Sequence, residues 1–260
     1  MSLKAQLEKL LSEDMGFVIK RERSAFDKLA WPFGESLVLF GAGNLGRKTL
    51  AGLRKIGIEP LAFSDNNRLL WNQLVDGLQV LSPQNAAQRF GQNAVFIVTI
   101  WRALGGERQA HREKQLLDLN CRKVVSFGYL FWKYPEIYLP HYCLDVPHKF
   151  FQHIDELRES FYLWADDDSR HEYLAQLRFR MLLDFDGLPP PVAHKQYFPD
   201  DIFSFVKQER FVDVGAFDGD TIRDFLVRQG SEFDSIFALE PDPENYEKLQ
   251  RFILSLNHPS

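Results

Sequence analysis

Twice in this chain a short, largely apolar run breaks at a cluster of glycines and passes straight into a helical pattern. The two stretches are SLVLFGAGNLGRKTL, Ser36–Leu50, and FVDVGAFDGDT, Phe211–Thr221. A strand that is apolar along its whole length has both faces buried, which restricts it to a parallel sheet covered by helices on each side. The early stretch is followed by more of the same alternation. LVLF (37–40), PLAFSD (60–65), GLQVLSP (77–83), NAVFIVTI (93–100) and KVVSFG (123–128) read as strands. Between them, NLGRKTLAGLRKIG and ERQAHREKQLLDL read as helices. This periodicity predicts an α/β fold with an N-terminal Rossmann-like parallel sheet.

Length permits more than one such unit, because 260 residues at 45% hydrophobic can bury two cores. Residues 1–30 predict one or two amphipathic helices with Leu7, Leu10 and Leu11 on one face. Residues 31–131 form the predicted Rossmann-like nucleotide-binding domain. Helical periodicity dominates 132–196, in KFFQHIDELRESFYLW and in SRHEYLAQLRFRMLLDF, where Ser169 and Glu172 have capping-box spacing. The acidic run Asp166–Asp168 suits a helix N-terminus. Three successive prolines in DGLPPPVAHKQ (186–196) mark an extended linker, and a second α/β segment occupies 197–260, entered through a helix-like DDIFSFVKQ.

The charge balance, 31 Lys and Arg against 36 Asp and Glu, gives no electrostatic case for nucleic acid or an anionic membrane surface. No apolar run approaches the roughly twenty residues of a membrane span. Two cysteines, Cys121 and Cys143, cannot make a disulfide framework, which fits a reducing, cytoplasmic setting. His141, Cys143, His148 and His153 lack metal-ligand spacing, so no metal site is expected. Phe131, Trp132, Tyr134 and Tyr138 read as a hydrophobic seam.

In the late stretch the glycines stand at 215 and 219, with Asp213 one turn earlier. Gly215 lets the backbone leave the strand sharply, and Gly219 removes a side chain where a ligand lies close. FALEPD then supplies Glu240 at the carboxyl end of the next strand, 27 residues after Asp213, where an acid can take both hydroxyls of a ribose. Pro241 fixes the chain direction and turns Asp242 toward the base.

FVDVGAFDGDT, ALEPDPENYEKL and the preceding YFPDDIFSFVKQER resemble, in order, the first motif, second motif and lead-in helix of the FkbM-type S-adenosylmethionine-dependent methyltransferases. The likeness covers about residues 197–257, less than a quarter of the chain. It implies the start of a class I methyltransferase domain. By it, S-adenosylmethionine lies on Asp213, Gly215, Ala216, Phe217, Asp218, Gly219 and Thr221, with Glu240, Pro241 and Asp242 at its ribose and base. It also implies O-methylation of a sugar, a polysaccharide or another small-molecule hydroxyl. Such an acceptor needs a general base that these motifs do not identify. Only 20 residues follow Glu240, fewer than a full domain of this kind requires, so the segment reads as incomplete. Its open strand edges are expected to pack against the helical segment or a second chain, as in a homo-oligomer.

The early stretch has its own nucleotide signature. Gly41, Gly43 and Gly46 keep the G-x-G-x-x-G spacing around Asn44 and Leu45, between a strand and a helix, and Asp65 follows 24 residues after Gly41. The tail SDNN…DGLQVLSP is similar to N-terminal domains that precede some sugar-modifying enzymes. NAD(P) and a nucleotide sugar are both open as its ligand, as is a non-catalytic binding or assembly role. No Tyr-x-x-x-Lys pair accompanies it, and Thr99, Trp101 and Arg102 are candidate pocket residues at a strand end.

Overall fold

The structure, a computed structural model, describes residues 1–100, 108–142, 144–190, 197–199, 202 and 204–256. It divides into two compact units, Met1–Pro190 and Pro191–Ser260.

The first unit opens with α1 (Leu3–Leu11) and α2 (Met15–Ala30), capped by the Ser2 and Asp14 side chains. Strand β1 (Leu37–Phe40) then leads through the glycine loop into α3 (Asn44–Lys55) and β2 (Ala62–Ser64). A 3-10 turn (Arg68–Leu70) precedes β3 (Leu74–Val75) and β4 (Leu78–Leu81), and α4 (Pro83–Phe90) crosses to β5 (Val95–Val98). Next come α5 (Gln109–Asp118), β6 (Lys123–Ser126), α6 (Phe127–Lys133) and α7 (Pro135–Tyr138). The order in the sheet is β3-β4-β2-β1-β5-β6. All neighbours are parallel except β3, which pairs antiparallel with β4. The chain therefore winds outward from β1 through β2 to β4, then returns across to β5 on the other side of β1. This is the Rossmann-like arrangement, and its reversal point lies between β1 and β5.

Alternation along β1 explains the layering. Leu37 and Leu39 face a core shared with Leu50 and Leu53 of α3, and with Phe131, Trp132 and Tyr138. Val38 and Phe40 face the opposite core, with Ala86 of α4 and Leu116 of α5. Phe131 and Tyr138 stack at 4.2 Å, and the Tyr138 hydroxyl donates to the Thr49 carbonyl at 2.8 Å, which ties α7 to α3.

Helices α8 (Pro147–Phe151), α9 (Ile154–Leu163) and α10 (Asp167–Leu182) follow. They share a core with α1 and α2, through Leu7, Leu11, Val18, Phe151, Phe161, Leu174 and Met181. Glu22 of α2, buried, accepts hydrogen bonds from the His148 backbone N–H at 3.3 Å and contacts His148 Nδ1 at 2.7 Å. The helical stretch KFFQHIDELRESFYLW forms two helices, broken at Gln152–His153. The cap of α10 is Asp166, whose carboxylate accepts from the Ser169 N–H at 2.7 Å, and not Ser169. A carboxylate at that position outcompetes a hydroxyl because its bond to the helix terminus is charge-assisted.

The second unit is a strand–helix–strand–helix run: β7 (Glu209–Val214), α11 (Asp220–Gln229), β8 (Phe233–Leu239) and α12 (Pro243–Ser255). Strands β7 and β8 are parallel. One face of this pair packs Phe211, Ile236 and Ala238 against α11 and α12. The other presents Val212, Val214, Phe237 and Leu239, each 56% exposed or more. The described part of the expected lead-in helix, Ile202 and residues 204–208, is not helical; Asp200, Asp201 and Phe203 lie outside the described residues.

Candidate functional site

At the end of β7 the chain is pinned to β8: Gly215 and Ala216 both donate to the Leu239 carbonyl, at 2.8 and 3.0 Å. Gly215 sits at φ +89°, where L side chains are disfavoured, and a Cβ there would meet open space. Its conformation, and not crowding, calls for glycine. Gly219 also has φ +89° and begins α11, but a Cβ on it would run into the Phe252 ring. The Arg223 guanidinium bonds the Asp218 carbonyl at 3.0 Å and its carboxylate at 2.6 Å, and lies 4.7 Å over Phe252. One arginine thus clamps the glycine loop to α12.

Glu240 completes the loop. Its Oε2 accepts from the Phe217 N–H at 2.7 Å and its Oε1 from the Asp242 N–H at 2.9 Å. Asp242 is the N-cap of α12, accepting from Asn245 N–H at 3.0 Å, and Pro243 occupies the first helical position. Pro241 joins these two acids.

A cavity of about 570 Å³ opens beside the loop, lined by Asp213, Gly215, Phe217, Asp220 and Thr221 together with the aromatic rings of Tyr197, Phe198, Phe211 and Phe225. Phe211 and Phe225 stack at 4.7 Å in its wall. Ala216 is fully buried beneath the loop, and Asp218, Gly219, Glu240, Pro241 and Asp242 support the loop from outside the cavity lining. The Oδ2 atom of Asp213 is buried without a hydrogen-bond partner among the described residues. Burial, and then the charges of Asp220 and Glu240, raise the Asp213 carboxyl above its ordinary range. Asp213 and Asp220 beside an aromatic wall, with the Glu240 charge near enough to act on Asp213, suit a cation with an apolar body. Among the described residues no group of His, Cys, Asp or Glu has the arrangement of a metal site.

The first unit repeats the loop geometry. Gly41 has φ +115°, and a Cβ there would come within 3.0 Å of the Thr99 carbonyl oxygen; one on Gly46 would strike the Gly41 carbonyl. Gly43 faces open space. Asp65 plays the part of Glu240: its Oδ2 accepts from the Ala42 N–H and its Oδ1 from the Asn67 N–H, both at 2.7 Å. Thr99, buried, holds its hydroxyl 3.0 and 2.9 Å from the Phe40 and Gly41 carbonyls. Trp101, Arg102 and Cys143 lie outside the described residues.

A cavity of about 1050 Å³ stands over this loop, and three of its lining residues lie outside the glycine-loop motif: Lys48, His141 and Tyr142. Lys48 Nζ lies 2.9 Å from His141 Nδ1. Burial lowers the pKa of Lys48, and burial together with the Lys48 charge lowers that of His141, so the imidazole stays neutral and accepts from the ammonium. Lys48 was findable, being four residues after Asn44 on one helix face. His141 was not, because the return of the chain after α7 brings it there.

No family model and no curated protein matches the sequence. Among solved structures, the fold is similar to the crystal structure of methyltransferase FkbM from Methylobacillus flagellatus KT. The TM-score is 0.67 and the identity 19%, over 97% of this chain and 67% of that one. The two proteins thus share a fold, in which the parallel-sheet unit and the β7–β8 unit are both included.

Proposed function

We propose that the Pro191–Ser260 unit belongs to a methyltransferase domain that binds S-adenosylmethionine and serves O-methylation of a sugar, polysaccharide or other small-molecule hydroxyl. The observation that carries this reading is the buried, unpartnered Asp213 oxygen beside Asp220 and Glu240. It fits a ligand with an ammonium and a sulfonium, and the fold likeness to a methyltransferase supports the same class. When bound, the cofactor supplies an activated methyl carbon. Asp213 accepts from the amine, the Gly215 backbone leaves room for close approach, and Glu240 holds the loop while offering its remaining lone pairs to ribose hydroxyls. Phe211 and Phe225, with Phe217 at the rim, keep water from the cation.

S-adenosylmethionine and S-adenosylhomocysteine at about 100 times their dissociation constants are expected to stabilise this unit by roughly 2.7 kcal/mol, read as a raised melting midpoint. No response to either ligand from a folded chain would sink the reading.

Asp213 gives a test with two signs. A carboxyl whose pKa is higher in the folded state costs stability as pH rises from the unfolded value, about 3.9, through the folded one. Asp213→Asn is therefore expected to melt above the parent at neutral pH and to lose that advantage in acid. The same variant should bind S-adenosylmethionine about tenfold or more weakly, since a charge-assisted bond contributes roughly 1.5–3 kcal/mol. A variant that is neither more stable nor weaker in binding would remove Asp213 from the site.

A further inference from the structure

A second cavity stands over the early glycine loop, in the other unit from the proposed methyl-donor site. Its floor is the first turn of α3, where no side chain caps the helix, so the N–H groups of Asn44, Leu45 and Gly46 have no capping acceptor. Its one described ammonium, Lys48, stands a turn further along that helix and is held by a neutral imidazole, which leaves the positive charge uncancelled. At the rim Tyr142 is 86% exposed, a flat ring beside a cavity large enough for a nucleotide. Phosphate chemistry suits the floor and a planar ring suits the rim.

The opposite side of the loop is tied shut. Asn66, next to Asp65, and Gln115 of α5 exchange two amide hydrogen bonds, 3.1 and 2.7 Å long. These join the loop after β2 to the helix after β5. A dinucleotide lying across the reversal point of such a sheet has to seat one nucleoside in that strip, beside the acid that ends β2. Here that strip is bridged by the Asn66–Gln115 amide pair.

We propose that this cavity binds a single nucleoside diphosphate unit, free or carrying a small group such as a sugar, and not a dinucleotide. The diphosphate lies against the first turn of α3 and the Lys48 ammonium, and the base lies toward Tyr142.

Isothermal titration of the 260-residue chain with ADP, UDP, pyrophosphate and NAD tests this, with S-adenosylhomocysteine titrated in parallel. ADP or UDP is expected to bind at least tenfold more tightly than NAD. Lys48→Met is expected to weaken that binding tenfold or more while leaving the S-adenosylhomocysteine response unchanged. Replacing Asn66 and Gln115 together by alanine is expected to narrow the gap by admitting NAD. Absence of ADP and UDP binding at millimolar concentration, or indifference to Lys48→Met, would overturn the site. NAD binding as tightly as ADP or UDP would overturn its one-sidedness, and pyrophosphate doing so would overturn the nucleoside half. Because Lys48 and the S-adenosylmethionine site lie in different units, failure here leaves the methyl-donor result standing, and the reverse.

Discussion

Glu240→Ala is expected to lower affinity for S-adenosylmethionine about a hundredfold while leaving the Met1–Pro190 unit as stable as before. The carboxylate holds Phe217 N–H on one oxygen and Asp242 N–H on the other, so its removal frees the glycine loop and the entry to α12 together. Each bond to a charged acceptor contributes roughly 1.5–3 kcal/mol, and any bond to the ribose is lost besides. A net loss near 3 kcal/mol corresponds to about two powers of ten. Gln at this position keeps one acceptor oxygen and should fall between the two. Equilibrium binding to Glu240→Ala, alongside a melting curve, decides the matter: unchanged affinity would mean that the latch is structural only.

In the first unit, Gly46→Ala sets two effects of opposite sign against each other. Within a helix, alanine is favoured over glycine by about 1 kcal/mol. Against this, the added methyl would be driven into the Gly41 carbonyl oxygen, a backbone atom that can move only by separating α3 from β1. Overpacking of this kind costs about 1–3 kcal/mol, and a rigid neighbour puts it at the upper end, so a net loss of about 2 kcal/mol is expected. Gly43→Ala is the control, because φ is −78° there and a Cβ meets nothing within 4 Å. Urea midpoints should fall for the first variant and stay within about 0.5 kcal/mol for the second. Equal behaviour of the two would remove the close approach of helix and strand as the reason for glycine.

Much of this arrangement was legible because burial on two faces leaves a strong mark. LVLF and VFIV are apolar without interruption, so β1 and β5 and their helices stood out. Strand β3 did not, since two residues carry no periodicity and its pairing with β4 is the only thing that makes it a strand. The sequence located Asp65 and Glu240 as acids at strand ends, but their shared use on two backbone N–H groups depends on loop geometry that spacing does not encode. Lys48 and His141 are 93 residues apart in sequence, and tertiary packing, including Phe127 and Phe131 against His141, brings them together.

The bare face of the β7–β8 pair has a calorimetric consequence. Val212, Val214, Phe237 and Leu239 are wet in the folded unit, so unfolding adds little to the hydration of those four side chains. The heat-capacity increment of unfolding scales with newly wetted apolar area, and it should be small for this unit relative to its length. Its stability curve is then shallow, with a broad melting transition and little curvature. A surface that covered that face would register as a sharper transition and a larger heat-capacity step.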